Sequence, residues 1–293
     1  MPEYQFSIII PVKNEGLNIK VTVDSILRTS IESSYEIIVV DDHSSDGCCS
    51  FLKNDRYKLP HVSLFTTKGL GAANARNAGA DQARGEIFVF CDAHITVSPD
   101  WLVKMEKDFS LGTVVGLSPA IASMADPGAA GYGLTWNERL EPKWLPRPSD
   151  MTTSPLLPGG CQAFRKSAFR MVGGYDRGFK VWGREDEEIS FKMWLFGHSL
   201  FVDPEIKILH LFRAAHPYPV SMDHVNYNFL RMACSHMDST RLASALSLIS
   251  GEHNFSSLVA SVCLSDVWDQ RGDYLARRLY DDKWYMKHFA IPF

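Results

Sequence analysis

Apolar and polar positions alternate with two different periods along the first third of the chain. Mainly apolar runs at 6–12, 35–40 and 86–91 are separated by helical patterns at about 15–30 and 71–83. This order is typical of βαβ units, and it predicts a parallel sheet covered by helices. The first two runs are apolar on both strand faces, as a sheet buried on both sides requires.

Polar residues follow each of these runs where the predicted strand ends. They are Lys-Asn-Glu at 13–15, Asp-Asp-His at 41–43 and Asp-Ala-His at 92–94. In open α/β sheets, ligands bind at the carboxyl ends of the strands. We therefore expect the three polar clusters to converge on one crevice.

The rest of the chain is irregular at first and then helical. A serine cap followed by proline predicts a helix start at 98–100. The Gly- and Pro-rich region from about 112 to 161 is interpreted either as the wall of a second substrate site or as a surface excursion. Helical patterns return at 185–196, ended by Gly197, and they dominate roughly the final 70 residues.

Composition places the chain among ordinary globular proteins. Of its 293 residues, 45% are hydrophobic and 22% are charged, and a net charge of -4 gives no field that favours nucleic acid or an anionic membrane. We find no leader-like N-terminus and no apolar run long enough to span a bilayer, and we expect a cytoplasmic protein or a soluble fragment of an anchored one. Six scattered cysteines without a C-x-x-C pair predict small buried hydrophobes, not a disulfide framework or a zinc cage.

Two histidine segments could supply metal ligands. Asp92 and His94 follow a predicted strand at i, i+2 spacing, which aims both side chains to one side. A carboxylate with an imidazole suits Mn²⁺ better than Ca²⁺, although an isolated pair of this kind is more often a helix cap beside an incidental histidine. His210 follows a third apolar stretch and could complete the site, or it could be a structural residue. Arg213 and Tyr218 behind it could contact phosphate and cap a ligand.

Four acids stand in succession in the segment Trp-Gly-Arg-Glu-Asp-Glu-Glu at 182–188. The helix dipole is sufficient to explain Glu187 and Glu188. An aromatic residue and a glycine directly before Glu185 are typical of a site that stacks a sugar face beside an acid. The glycine turn at 69–71 lacks both a P-loop lysine and a G-x-G-x-x-G pattern, and its glycines are interpreted as turn formers.

Together these segments resemble the GT-A glycosyltransferases of family 2, and particularly the catalytic domain of polypeptide N-acetylgalactosaminyltransferases, over about residues 5–240. The segments at 7–15 and 39–46 carry the general family pattern. The Asp-Ala-His at 92–94 and the His-x-Phe-Arg-x-x-His-Pro-Tyr at 210–218 are more specific. The resemblance implies an α/β fold of the GT-A type, with a mainly parallel central sheet flanked by helices. It further implies a catalytic domain at 1–220, divided into a nucleotide half at about 1–110 and an acceptor half at about 111–220, with a helical extension at 221–293 packed on it.

The resemblance also implies a chemistry for individual residues. Mn²⁺, or Mg²⁺ in its place, is expected on Asp92, His94 and His210, and Glu185 and Asp186 are expected to be catalytic. The residues expected to bind the UDP-sugar, with Asp42 on the uracil and 213–218 on a closing loop, are Pro11, Val12, Glu15, Asp42, Arg76, Asp92, Gly160, Trp182, Arg213, His216 and Tyr218. Further similarities are the acceptor-side residues Trp136, Asn137 and Trp144 and the later helix with Asn228, Arg231, Ala233, Met237 and Asp238.

One departure from the family pattern concerns the stereochemistry. Where those transferases usually carry Glu-Asn after Trp-Gly-Gly, this chain has Arg184 and then Glu185 and Asp186. The Glu-Asp pair is typical of inverting GT-A enzymes, in which the second acid deprotonates the acceptor. We favour inversion, and retention stays open if Asp186 binds the sugar instead.

The predicted function is metal-dependent transfer of a hexose, such as GalNAc or GlcNAc, from a UDP-sugar to a Ser, Thr or Cys side chain of a peptide or protein. Alternatives are a glycosyltransferase of polysaccharide or glycolipid synthesis and a non-catalytic UDP-sugar-binding partner protein. A nucleotidyltransferase is disfavoured because no basic glycine-rich loop follows the first strand. Near-helical spacing of four apolar residues in the C-terminal stretch favours a helix packed on its own domain over a membrane or partner contact. These residues are Trp268, Tyr274, Leu275 and Leu279. The sugar, the acceptor and the oligomeric state cannot be read from the sequence.

Overall fold

A computed structural model describes residues 3–293; residues 1 and 2, with which the first predicted domain begins, lie outside the described residues. The strands are β1 Tyr4–Val12, β2 Tyr35–Asp41, β3 Val62–Thr66, β4 Gly85–Cys91, β5 Ile95–Val97, β6 Gly116–Ser123, β7 Ala130–Gly131, β8 Leu134–Trp136, β9 Pro142–Trp144, β10 Thr152–Thr153, β11 Cys161–Arg165 and β12 Leu200–His210. The helices are α1 Asn18–Ile26, α2 Ala72–Gln82, α3 Trp101–Ser110, α4 Lys166–Met171, α5 Glu185–Leu195, α6 Met222–His236, α7 Ser239–Leu248, α8 Phe255–Cys263, α9 Val267–Arg277 and α10 Asp282–His288. Two 3₁₀ turns lie at Ser50–Lys53 and Asp55–Tyr57.

The central sheet runs in the order β10-β12-β6-β11-β4-β1-β2-β3. Strands β1 to β4 pair in parallel, with Ile9 opposite both Ile38 and Phe90, as the βαβ pattern predicts. Strand β11 is antiparallel to both of its neighbours and joins this half to the parallel pair of β6 and β12. Side chains of β1 enter separate apolar clusters on the two faces of the sheet, because successive strand residues point to opposite sides.

Strand β6 corrects the interpretation of 112–161 as an irregular region. It is buried along almost its whole length between β12 and β11. Its sequence is rich in Gly, Ser, Pro and Ala, which are weak strand formers, so the pattern did not predict it. Pro119 is tolerated because it lies opposite Asp203, where the register of β12 shifts before Lys207, and a proline lacking its N–H fits at a bulge.

The predicted start of α3 is also corrected in detail. The helix begins at Trp101, but Ser98 does not cap it. The Ser98 hydroxyl instead donates to Asp100 Oδ1 at 2.6 Å. The sequence therefore located the helix without identifying the contact that starts it.

The C-terminal helices share one apolar core with the sheet, which contains Ile9 as well as Tyr285. Arg231 of α6 is fully buried and pairs with Asp176 at 2.9 Å. Of the four C-terminal residues noted for their helical spacing, Tyr274 is buried in this core, whereas Trp268, Leu275 and Leu279 are exposed. The domain boundaries stay a prediction.

Two further sequence expectations can be compared with the structure. No helix within residues 3–293 is long and apolar enough to cross a membrane. All six cysteines are free thiols; five are buried, as expected for small hydrophobes, and Cys263 is exposed.

Candidate active site

The carboxyl ends of β1, β2 and β4 meet at one crevice, as their polar clusters predict. Lys13, Glu15, Asp42, Asp92 and His94 line a cavity of about 320 Å³ there. This volume is within the range of small-molecule sites. Each side chain is placed by its strand, so the rigid sheet sets the spacing of the polar groups.

The three candidate metal ligands lie together beside this cavity. One ligand atom from each of Asp92, His94 and His210 falls within 4.8 Å of the others. His210 Nε2 is 3.2 Å from Asp92 Oδ2, and His94 Nε2 is 3.9 Å from the same oxygen. Strand pairing explains this geometry: His210 ends β12 opposite Ile95 of β5, directly after His94.

Asp92 is held in its ionised form. Burial alone would raise the pKa of Asp92, but the hydrogen bond with His210 and the charge of Arg76 hold that pKa well below its usual range. Arg76 itself is buried, and it donates to Asp92 Oδ1 at 3.0 Å and to Glu185 Oε1 at 3.2 Å. One guanidinium therefore connects the candidate metal ligand to the candidate catalytic acid.

Arg213 connects the segment after β12 to the end of β1. Its Nη2 donates to Glu15 Oε1 at 2.8 Å and lies 2.6 Å from His94 Nδ1. Burial favours the neutral form of Glu15, but the hydrogen bonds of His94 and Arg213 outweigh it and lower the pKa of Glu15. These contacts hold the segment that follows Arg213 close to the carboxyl ends of the strands.

Aromatic side chains of this segment complete the cavity. The rings of His216 and Trp182 are 4.4 Å apart, and the Lys13 ammonium lies 5.9 Å from the ring of Tyr218. Of the residues expected to bind the donor, all but Gly160 line this cavity. Gly160 lies in the neighbouring cavity, against the ring of His210.

Asp42 has a structural task beside its place in the cavity. Its carboxylate accepts the Thr67 hydroxyl, the Leu70 N–H at 2.6 Å and the Gly71 N–H at 2.9 Å. Gly71 has φ +83°, and a Cβ there would lie 2.7 Å from the Val181 carbonyl oxygen. The glycine segment is thus a turn fixed by Asp42, as interpreted from the sequence, and the uracil contact of Asp42 stays a prediction.

A second cavity, of about 400 Å³, lies on the other side of His210. Glu185 and Asp186 line it. Burial raises the pKa of Glu185 to about 7, against the charge of Arg76. Asp186 Oδ2 accepts the Gly159 N–H at 3.0 Å, and burial raises the pKa of Asp186 as well. Both carboxyls can therefore exchange protons closer to neutral pH than ordinary surface acids.

The other two acids of the tract are structural. Glu187 accepts the Trp136 indole N–H and pairs with Arg184, and Glu188 lies fully buried between Lys192 at 3.1 Å and His236 at 2.8 Å. Trp136 is 2% exposed, so its predicted acceptor-side position is corrected to the core. Trp144 does line the second cavity.

Two cavity residues were given no individual role from the sequence. Lys13 lines the first cavity, and within residues 3–293 no carboxylate lies within ion-pair distance of its ammonium. Its place in the polar cluster after β1 was the available signal. Phe212 is 53% exposed and lines both cavities; it stands in a motif that was used for its histidines, its arginine and its tyrosine. Asn228, noted for similarity alone, holds the Trp182 segment by donating to the Gly183 carbonyl at 2.9 Å.

Sequence comparisons identify the family. A family model for "Glycosyl transferase family 2" matches residues 7–173, and one for "N-terminal domain of galactosyltransferase" matches residues 151–217. N-acetylgalactosaminyltransferase 6 of Drosophila melanogaster is 29% identical over 97% of this chain and 45% of its own length. Polypeptide N-acetylgalactosaminyltransferase 11 of Xenopus tropicalis is 32% identical over 79% of this chain and 42% of its own length. The chain thus spans less than half of these relatives.

A solved structure shows the same fold. A crystal structure of GalNAc-T7 with UDP, GalNAc and Mn²⁺ superimposes with a TM-score of 0.77 at 23% identity, covering 98% of this chain and 56% of the other. This agreement confirms the predicted GT-A fold with its helical C-terminal region. The chain belongs to glycosyl transferase family 2, with polypeptide N-acetylgalactosaminyltransferases among its relatives.

Proposed function

We propose that the chain is a metal-dependent glycosyltransferase that moves a hexose from a UDP-sugar to a Ser, Thr or Cys side chain of a peptide or protein. The observation that carries the proposal is the position of Asp92, His94 and His210 between a nucleotide-sized cavity and a second cavity lined by two acids. The names of the relatives favour GalNAc as the sugar. The cytoplasmic location stays a prediction.

The ligand set fits a borderline divalent cation. One carboxylate and two imidazoles match Mn²⁺, with Mg²⁺ as a weaker substitute. Asp92 is ionised, which ligation requires. When bound, such an ion neutralises the negative charge that grows on the diphosphate as the glycosidic bond breaks.

Two cationic side chains and the segment after β12 also support the binding of a UDP-sugar. Lys13 lines the nucleotide cavity, and Arg213 reaches the same cavity from the loop side. A diphosphate needs such charges around it, and both arginine and lysine bind phosphate oxygens. The ring contact of His216 with Trp182 keeps the segment over the cavity, which excludes water that would otherwise hydrolyse the donor.

We propose Asp186 as the base that accepts the proton of the acceptor hydroxyl or thiol. Burial raises its pKa, which makes its carboxylate a stronger base than an exposed one. The Gly159 N–H and the Glu187 N–H fix its orientation. Attack would then come from the face opposite UDP and would invert the anomeric centre.

The acceptor side favours a partly apolar substrate. Trp144 and Phe212 are 41% and 53% exposed in the second cavity, with ring centroids 6.5 Å apart. Exposed aromatic faces of this kind bind apolar side chains or sugar faces. A peptide with an apolar residue near its acceptor side chain would satisfy both the aromatic wall and the acids.

The test is release of UDP from a panel of UDP-sugars, with Mn²⁺ or with EDTA, first without and then with synthetic peptides. We expect slow Mn²⁺-dependent hydrolysis of one donor, lost in His94→Ala and His210→Ala but kept in the control His253→Ala, since His253 is exposed outside both cavities. Asp186→Asn should abolish transfer, and NMR of the wild-type product should show the inverted anomer. No binding of UDP with Mn²⁺ would overturn the proposal, and binding without turnover would favour the non-catalytic alternative.

A further inference from the structure

Arg184 adopts a left-handed backbone conformation, which residues with a Cβ rarely take. It precedes α5 with φ +70° and ψ -2°. Its carbonyl oxygen accepts the Glu188 N–H at 2.9 Å, so this conformation is part of the helix start. A left-handed backbone is sterically unfavourable for a residue with a Cβ. Contacts of the side chain must offset this strain.

The guanidinium of Arg184 holds the turn between β8 and β9. Its Nη1 donates to the Leu140 carbonyl at 2.6 Å and to Glu187 Oε2 at 2.8 Å. The group lies 5.1 Å from the ring of Phe229, and the side chain is only 17% exposed. Leu140 itself has a left-handed backbone, with φ +54°. The turn is therefore strained at the same residue whose carbonyl oxygen accepts the hydrogen bond of Arg184.

A second contact fixes the same hairpin to the same helix. Glu187, which binds Arg184, also accepts the indole N–H of Trp136 from β8. The first turn of α5 is therefore joined to the hairpin at a side chain of β8 and at a backbone carbonyl of the turn. Both hydrogen bonds come from Nη1, while the planar group as a whole lies 5.1 Å from the Phe229 ring. A lysine could donate to both acceptors but would lose the contact of a planar cation with the ring.

The hairpin carries the exposed aromatic wall of the acceptor side. Trp144 of β9 packs on Gly131, where a Cβ would lie 2.0 Å from its ring, and it contacts Phe212 edge-on. Asp186 lies two residues after Arg184 on the other wall of that cavity. Arg184 thus stands between the aromatic wall and the acid.

We propose that Arg184 is a positioning residue that sets the distance between the Trp144 hairpin and Asp186, and so determines how the acceptor is held. The part of this inference that concerns the acceptor rests on the proposed function, whereas the expected effect on the hairpin does not. Loss of the guanidinium should loosen the hairpin and leave the nucleotide cavity intact, because Arg184 does not line that cavity. Misplacement of a substrate by about 1 Å is enough for large kinetic losses.

The experiment compares Arg184→Gly, Arg184→Lys and the control Arg139→Ala in the full chain. Gly relieves the backbone strain while it removes the guanidinium, and Lys keeps the charge. Arg139 lies in the same turn, but its side chain is 57% exposed and pairs with the exposed Glu141. Hydrogen exchange should accelerate in 132–145 in Arg184→Gly, to a lesser degree in Arg184→Lys and not in Arg139→Ala, with 189–195 unchanged.

The kinetic arm uses UDP release without acceptor and transfer to the best of a panel of peptides that each carry one Ser, Thr or Cys. We expect the peptide KM of Arg184→Gly to rise on the order of tenfold with donor hydrolysis unchanged. Unchanged exchange in the hairpin would overturn the inference, and so would equal losses in hydrolysis and transfer. If the wild type turns over no donor, the proposed function fails, and the exchange data still decide whether Arg184 positions the hairpin.

Discussion

Replacing Arg76 by methionine removes the charge that two acids of the site share. The guanidinium lies 3.0 Å from Asp92 and 3.2 Å from Glu185, and the arginine side chain is 6% exposed. Removal of one partner from a buried ion pair costs about 3–5 kcal/mol. We expect the lower end, about 3 kcal/mol at pH 8, because Asp92 keeps the hydrogen bond of His210 and about a quarter of its side chain is exposed.

The loss of stability should depend on pH with a defined sign. Burial already raises the pKa of Glu185 to about 7, and without Arg76 it should rise further. A carboxyl whose pKa is raised in the folded state stabilises the fold while it is protonated, and this stability is lost as the pH rises through the folded pKa. The destabilisation of Arg76→Met should therefore be smaller at about pH 5.5 than at pH 8.

Urea unfolding followed by tryptophan fluorescence, with EDTA present, gives the free energy of unfolding at both pH values. Arg147→Met is the matched control, because Arg147 is 60% exposed and pairs at 2.7 Å with Glu205, which is 67% exposed. Such surface pairs contribute about 0–1 kcal/mol. A loss in Arg76→Met no larger than in this control, or a loss that grows at low pH, would refute the reasoning.

Two further predictions concern a buried acid and a glycine. Burial and the neighbouring Asp203 raise the pKa of Asp108 to about 7, so the folded protein favours the protonated carboxyl. The free energy of unfolding should therefore fall as the pH rises from the pKa of Asp108 in the unfolded chain through 7. Asp108→Asn should therefore be more stable than the wild type at pH 8 and lose this advantage near pH 5; urea unfolding that shows lower stability at pH 8 contradicts it. A methyl group in Gly160→Ala would lie 3.1 Å from the His210 ring and should weaken Mn²⁺ binding severalfold by calorimetry. Gly112→Ala, whose added carbon meets no atom within 4 Å, should leave that affinity unchanged.

The sequence predicted the fold where local pattern and tertiary environment agree. Apolar runs with polar ends located β1, β2 and β4, because strands buried on both faces leave a continuous signal. The same argument missed β6, because a proline such as Pro119 locally predicts a loop. The bulge that lies opposite Pro119 in β12 allows this proline within the strand. Propensity is a weak guide where burial by distant strands decides the structure.

The candidate site shows the same division. Asp92, His94 and His210 could be named from their motifs, but the pairing of β12 with β5 that brings them together is not visible in any local pattern. Of the two tryptophans assigned to the acceptor side, burial separates the core residue Trp136 from the exposed Trp144. Aromatic residues of both kinds look alike in a sequence because the chain that covers one of them comes from elsewhere.

The dependence of the site on β12 has a consequence for how the protein folds. His210 follows Asp92 by 118 residues, and Glu185 follows Arg76 by 109. Closing a flexible loop of that length costs about 4 kcal/mol of chain entropy by the logarithmic law. The candidate ligand cluster therefore requires segments that are more than 100 residues apart in the chain to be docked against each other. A nascent chain that ends before β12 already contains strands β1 to β5, yet it lacks His210, the third candidate ligand. Affinity for a divalent ion would thus report completion of the fold itself.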